Sequence, residues 1–466
     1  MRVPGREGDA AGRGERRDLH LLVSGNVVST FGNAVYILAV TLLLKELTES
    51  ALMLGLFQFL ALAPAFLLSP IIGAVIDRVS RRRIVILSDV YRGLLMLLTA
   101  LALTVPALRS PALILPAAFL AGVGNALFIP AAHALLPSLV SPSRLPGATG
   151  LRAAGSQLAN LGGNAVGGTL FALFGAPFLF LINGVTFLLS AVQEMFIRQG
   201  RETPSRPAEE SLMATAREGL RAVGSDRRVL FLVASQAGLF LVSPVLMLAL
   251  PFIVIDELGL PEQTLGYVFA LALAGGIGAF LLLRRRDGRG LAAEYRVALA
   301  YLLLGAGFLA LSVNTSVAVM IPVALISGAA AATVYLSVTI HIQRHSPAEL
   351  HGRFFALLEA ASTFVAPISY LAAGALLEIT GPQDRWQLFA LVGLASLIWS
   401  VVLSKRGRNA RESERQGELV QATMAAGGNG TSGRTHDIGR STPAPPRGGA
   451  GPGVGGSDLA GSRLDR

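Results

Sequence analysis

The 466-residue chain contains no cysteine, which excludes disulfides, thiolate metal sites and cysteine nucleophiles. Charge is scarce: 15% of residues are Asp, Glu, Lys or Arg, against about a quarter in a soluble domain. No glycine-rich Walker loop, metal-ligand cluster or hydrolase elbow is found in the sequence. ATP hydrolysis by this chain is therefore not an energy source, the chain does not read as an enzyme, and no cofactor is called for. What it has in excess is apolar: 52% of residues are hydrophobic and mean hydropathy is +0.59. The formal charge of +10 would suit nucleic acid, but the basic residues fall in alternate loops rather than on one face. Nucleic acid is not an expected partner.

Twelve apolar segments are each long enough for the ~20 residues of a spanning helix. They cover 19–44, 51–76, 84–105, 111–136, 148–173, 176–198, 229–255, 263–283, 293–313, 317–341, 353–379 and 385–404. Residues 1–18 are polar, carry five arginines and show no removable signal peptide; they are expected to be disordered and cytoplasmic. A first six-helix bundle spans 19–198 and a second 229–404, joined by a cytoplasmic linker at 199–228. In the linker, Leu212, Ala216, Leu220 and Val223 recur at helical spacing, which suits either a short amphipathic helix on the membrane surface or a solvated connection. Residues 405–466 are rich in arginine, then in glycine, serine and proline, and a disordered tail is expected. Alternate short loops hold 25 Lys and Arg residues, while the opposite set holds only Lys45, Arg109 and Arg385. By the positive-inside rule both termini are cytoplasmic and the protein is a multi-pass protein of the plasma (inner) membrane.

The densest charge lies in the turn Gly73-Ala74-Val75-Ile76-Asp77-Arg78-Val79-Ser80-Arg81-Arg82-Arg83. Two readings stand side by side: a topogenic charge cluster, or a latch in which Asp77 accepts hydrogen bonds and holds two bundles together in one state. The chain also repeats. Ser141-Pro142-Ser143-Arg144-Leu145 opens a span reaching Gly168 and ending at Gly175; Ser346-Pro347-Ala348-Glu349-Leu350 opens one reaching Gly374 and ending at Gly381. The offset is 205 residues at the start and 206 at the end, as duplication of a six-helix half requires.

The loop spacing Gly-x-x-x-Asp-Arg-x-x-Arg-Arg resembles the signature between the second and third helices of the major facilitator superfamily, with Ser80 where that family usually has glycine. The resemblance implies an all-α membrane protein of twelve transmembrane helices in two pseudo-symmetric six-helix bundles. Gly73, Asp77, Arg78, Arg81, Arg82, Asp89 and Arg92 would form its cytoplasmic gate. Within the superfamily, the chain is similar to the branch of macrolide-efflux and enterobactin-exporter proteins. That similarity rests on Leu47-Thr48-Glu49-Ser50-Ala51, the Asp77 loop, Asp89 with Arg92, and Glu218-Gly219-Leu220-Arg221. In the fifth span, Gly163-Asn164-Ala165-Val166-Gly167-Gly168 resembles an antiporter pattern ending Gly-Pro-x-x-Gly-Gly, with Asn164 in place of proline and Ala159 in place of its middle glycine. Small residues at that spacing also serve plain helix packing. The arginine that drug–proton antiporters often carry in the fourth span is replaced by Ala118.

Polar side chains inside a bilayer are costly, so their placement is informative. Asn26, Ser29, Thr30 and Asn33 share a stripe of the first span; Gln157, Asn160 and Asn164 share one of the fifth. Gln58, Asn125 and Gln236 add amides, and Glu359, Thr363 and Tyr370 share a face of the eleventh span. The stripes either line a cavity for an amphipathic or hydrophobic ligand or tie neighbouring helices together. Asp89 and Arg92 read as an ion pair supporting the Asp77 loop, with proton transfer as the other reading. Glu359 is the candidate for proton coupling, or else pairs with an arginine of another helix. The resemblance implies export of a hydrophobic small molecule in exchange for protons by rocking of the two halves. Its partners would be that ligand, membrane lipid and a proton or other coupling ion, and the protein would act as a monomer. An importer or lysolipid facilitator of the same fold, or a non-transporting scaffold or sensor, stays open.

Overall fold

The computed structural model describes residues 5–198, 227–285, 292–345 and 348–428. The linker helix expected at 212–223 and the loop after Arg285 lie outside the described residues. Every regular element among the described residues is helical. The helices are α1 (Gly5–Thr48), α2 (Ala51–Leu67), α3 (Ser69–Arg78), α4 (Arg81–Leu103), α5 (Pro111–Leu139), α6 (Leu145–Met195), α7 (Arg227–Phe252), α8 (Gln263–Arg285), α9 (Ala293–Val313), α10 (Val317–His345) and α11 (Ala348–Gly428). This is what a lipid-spanning chain requires, since a helix satisfies its own backbone hydrogen bonds where no water can.

Among the described residues nine helices are long and apolar enough to cross a membrane, and the bent pair α2–α3 makes a tenth span. Two of the nine cross twice, because α6 and α11 are broken at Gly175 and Gly381, which brings the count to twelve. The two breaks share one backbone conformation: φ 71, ψ 174 at Gly175 and φ 66, ψ 178 at Gly381. That region is open to glycine alone, and a proline follows within two residues, at Pro177 and Pro382. The internal repeat read from the sequence thus ends, in both copies, on the same turn between two antiparallel spans.

Pseudo-symmetry extends to the packing. Gly93 of α4 lies against Gly184 of α6, where a β-carbon on either would come within 3.1 Å of the other's carbonyl oxygen. In the second half Gly305 of α9 lies against Gly393 of α11, with corresponding distances of 2.8 and 3.0 Å. In each pair a leucine four residues on covers the opposite glycine: Leu97 and Leu188 in the first half, Leu309 and Leu397 in the second. Small residues let these helix backbones approach as membrane bundles do. Large apolar side chains such as Leu98, Leu101 and Leu173 point outward, each about two-thirds exposed, as lipid-facing positions must.

Three features depart from the expected boundaries. The second span bends by 55° between α2 and α3, because Pro70 has no N–H to give the helix and disfavours helical geometry at the residue before it. The first helix begins at Gly5 rather than near residue 19. Its start is tied to the first bundle by an ion pair between Glu15 and Arg144 at 3.5 Å. At the other end, α11 runs past the expected end of the last span at 404. The chain divides into two compact units, residues 1–409 and 410–466; of the second, residues 410–428 are helical. Arg, Glu, Gln and Ala favour a helix there.

Candidate functional site

Among the described residues, the polar side-chain ties between the two halves lie at the end remote from the chain termini, while Phe66 of α2 and Phe364 of α11 also meet across the seam further along, with ring centroids 5.7 Å apart. Lys45, in the last turn of α1, donates to the Oδ1 of Asp256 in the π-helical turn Ile253–Glu257 that ends α7. The π turn follows Pro251, which has no N–H for the regular ladder, and it turns Asp256 and Glu257 to successive partners. Asp256 takes Lys45 of the first half; Glu257 accepts from Nη1 of Arg385 at 3.0 Å within the second. Phe252 lies beneath both cations, its ring centroid 6.0 Å from the Lys45 ammonium and 4.8 Å from the Arg385 guanidinium.

Two further contacts pair the halves symmetrically, because the second span of each half meets the fifth of the other. Ser50 caps the N-terminus of α2 by accepting from the Met53 N–H at 3.2 Å, and its hydroxyl donates to Glu378 of α11 at 3.0 Å. The same carboxylate oxygen accepts the Leu52 N–H at 3.3 Å, so Glu378 sits where the helix dipole of α2 favours a negative charge. Just below, Gly55 and Gly374 touch: a β-carbon on Gly55 would come 2.5 Å from the Tyr370 carbonyl oxygen and 3.1 Å from the Cα of Gly374. On the other side, Gly168 of α6 lies against Gln263 of α8, where a β-carbon would come 2.8 Å from its Cα. Gly266 faces the Asn164 carbonyl, and the Thr169 and Tyr267 hydroxyls are 3.2 Å apart. Glu262, in the loop before α8, has its carboxyl pushed above the ordinary range, first by burial and then by the Glu46 charge, with Lys45 opposing.

At the other end, the 73–83 stretch, expected as a turn, is helical except at Val79 and Ser80, since α3 runs to Arg78 and α4 starts at Arg81, and it is tied into its own half. Arg81 donates to the Ala134 carbonyl of α5 at 3.2 Å. Arg82 donates to the Glu194 carbonyl at 3.4 Å and to that of Met195, the last residues of α6. Cations there satisfy helix-end carbonyls and complement the dipole. Arg78 is exposed, and a β-carbon on Gly73 would meet nothing within 4 Å. The side chains of Asp77 and Glu359 lie outside the described ones.

Asp89 and Arg92 are buried and hydrogen-bonded to one another, and Arg92 also donates to Asn125. Asn125 is thus engaged within the first bundle. Asn26 accepts from Ser156 at 2.7 Å, tying α1 to α6. Asn33, Gln58, Asn160 and Tyr370 are half-buried, Gln157 is exposed, and Gln236 is buried with its Oε1 unpartnered among the described residues. In the antiporter-like stretch, Gly163 and Gly167 press on Phe31, Ala34 and Leu38 of α1, whereas Asn164 and Gly168 press on α8. The stretch is therefore wedged between its own half and the other.

Sequence reasoning used Lys45 and Arg385 only as loop charges and passed over Asp256, Glu257, Glu262 and Glu378. A signal was available, since carboxylates flank spans seven, eight and eleven in the loops poorest in cations.

A family model described as transmembrane secretion effector matches residues 18–378. Over 412 residues the chain is 27% identical to an uncharacterised transporter of the major facilitator type, YfiS, from Bacillus subtilis; that is 84% of this chain and 95% of the relative. It is 23% identical to macrolide efflux protein A of Streptococcus pyogenes over 178 residues, which covers 38% of this chain and 43% of that protein. A bacterial homologue of the iron transporter ferroportin, solved in an inward-facing state, superposes with a TM-score of 0.67 at 20% identity, over 84% of this chain and 98% of that one. A bacterial homologue of the human lysosomal transporter Spinster, inward-facing and unoccupied, gives 0.63 at 15% identity, over 84% and 96%. These two likenesses show the fold.

Proposed function

The chain belongs to the transmembrane secretion effector family of major facilitator transporters, and on that premise we propose that it exports a hydrophobic or amphipathic small molecule across the plasma membrane by alternating access, in exchange for protons. The observation that carries the reading is the one-sided seam. Lys45–Asp256, Ser50–Glu378 and Thr169–Tyr267 cross it at the end remote from the termini, while Arg81 and Arg82 of the signature turn bind only to helix ends of their own half in the contacts described above. With cytoplasmic termini, as the loop charges favour, these ties support an inward-facing arrangement with its outer end closed. Export then needs the outer ties to break and the inner end to close on the loaded ligand, so a bound ligand or ion must favour one arrangement over the other.

Three observations support the choice of ligand and direction. Partial similarity to a macrolide efflux protein favours outward movement of a bulky apolar compound. The helices that bear the seam are apolar with scattered amides and hydroxyls, a lining for amphipathic ligands rather than small ions or sugars. The sequence has no nucleotide-binding loop to supply energy, which leaves an ion gradient or the substrate's own gradient. The test is transport in inverted vesicles. With an imposed proton gradient, a panel of macrolides, siderophores and lysolipids is screened for accumulation in vesicles containing the chain. Accumulation of an apolar member that collapses with a protonophore is expected. Movement in the opposite direction, or none for the whole panel, would overturn the reading.

A further inference from the structure

Away from the seam, the first half buries a second group of charges that the gate does not use. Asp89 and Arg92 of α4 and Glu194 in the last turn of α6 are 0, 3 and 0% exposed. Arg92 donates to Asp89 and Asn125, and through Nε to the Ser88 carbonyl at 3.3 Å. Its guanidinium carbon lies 4.3 Å from the ring centroids of both Phe128 and Phe187. Ser190 donates to Oε1 of Glu194 at 3.4 Å. Oδ2 of Asp89 and Oε2 of Glu194 are buried with no hydrogen-bond partner among the described residues.

The charge count decides what this cluster needs. The Ser190 hydroxyl that donates to Glu194 also lies within reach of the Asp89 carboxyl, and Asp89 and Arg92 are the charged groups near enough to act on Glu194 among the described residues. From the neighbouring elements, α5 contributes the neutral Asn125, and α1 brings Gly25, whose β-carbon would lie 2.9 Å from the Ser190 hydroxyl. Arg82 is occupied with the backbone carbonyls at the end of α6. The guanidinium stays charged, so two ionised carboxylates would leave a net negative charge buried in an apolar bundle, at a cost of several kcal/mol. One proton removes that charge and supplies the donor that an orphaned carboxylate oxygen lacks.

We propose that Asp89, Arg92 and Glu194 form a proton-binding site that holds one proton shared between its two carboxyls. It deepens the reading of the chain as a proton-driven exporter and rests on it for its role, though not for its existence. The site lies beneath Arg82 of the signature turn and five residues before the start of the linker at 199. Gain or loss of the proton therefore acts where the first half joins the turn and the connection to the second half.

The test is infrared titration of the purified full chain in lipid nanodiscs, following the carboxylic C=O stretch from acidic to alkaline pH. The wild type is expected to show a band, present at neutral pH, that vanishes on alkalinisation. Glu194→Gln should lose it. Asp89→Asn should lose it as well, because one carboxylate against one guanidinium is balanced without a proton; this second variant keeps the test intact if the first fails to fold. Glu15→Gln, at the surface pair with Arg144, should retain the band. A band unchanged in both cluster variants overturns the site whatever the transport assay reports. A band lost in both, in a protein that moves no ligand in vesicles, establishes the site and sinks the exporter reading instead.

Discussion

Lys45 and Asp256 close the first span of each half, and their side chains meet across the seam. Duplication places the ends of those two spans about one axis, so opposite charges at equivalent positions bind the halves where they are closest. The Lys45 side chain is 11% exposed and that of Asp256 47%, so the pair lies between a surface and a buried ion pair in strength.

Reversing one member, Asp256→Lys, should open the outer end, and the double change Lys45→Asp with Asp256→Lys should close it again. A loss of about 1 kcal/mol would shift the inward-to-outward ratio roughly five-fold. Because the chain has no cysteine, two cysteines introduced at the outer ends of α2 and α11 can carry spin labels without background. Distances unmoved by the single reversal would remove the pair from the gate.

Glu262 is expected to make the ties between the halves depend on pH. Its carboxyl is raised in the closed arrangement, by burial first and by Glu46 second. The sign follows: a carboxyl whose affinity for a proton is raised stabilises the closed state at lower pH, and that stabilisation fades as pH climbs through the raised value. The window lies above the ordinary carboxylate range, and part of the effect is screened because the group is partly exposed. Acidifying the outside of right-side-out vesicles should shorten the spin-label distances, and Glu262→Gln should abolish the response in that window. An unaltered response in Glu262→Gln would assign the effect to another group.

Gly374→Leu should lock the outer end open. Its nearest neighbours are backbone, the Ala51 carbonyl oxygen at 2.7 Å and the Cα of Gly55 at 3.1 Å from a β-carbon, and backbone cannot rotate aside. Overpacking of this kind costs about 1–3 kcal/mol. Transport should fall while the protein stays folded in the membrane, whereas Leu376→Ala on the exposed face of the same helix should leave it unchanged.

Arg92→Met should destabilise the first half by about 3–5 kcal/mol, since removing one member of a buried charge group strands the rest. Adding Asp89→Asn should recover part of the loss. Thermal unfolding in detergent measures both. Equal melting temperatures for wild type and Arg92→Met would mean that Arg92 carries no compensating charge.

Much of the fold was legible in one dimension. Apolar runs give spans whatever lies beside them, and the matched Ser-Pro openings and terminal glycines gave the duplication that the common backbone of Gly175 and Gly381 bears out. The bend at Leu68 was less visible, because Pro70 lies inside an unbroken apolar run. Little of the candidate site was legible. The 73–83 stretch drew attention through its charge density, yet Asp256 and Glu378, which tie the two halves together, are isolated carboxylates with nothing nearby in sequence to mark them.

The sequence by itself determined the twelve spans, their internal repeat and the charge asymmetry of the loops, because hydrophobic length and loop charge are local properties that the bilayer reads segment by segment. Tertiary structure alone decided that Lys45 meets Asp256 and that Glu194 is buried in the same bundle as Asp89, with 104 positions between them. Such pairings are set by where helix faces come to rest against one another, and a buried charge takes its meaning from neighbours that the chain order does not disclose.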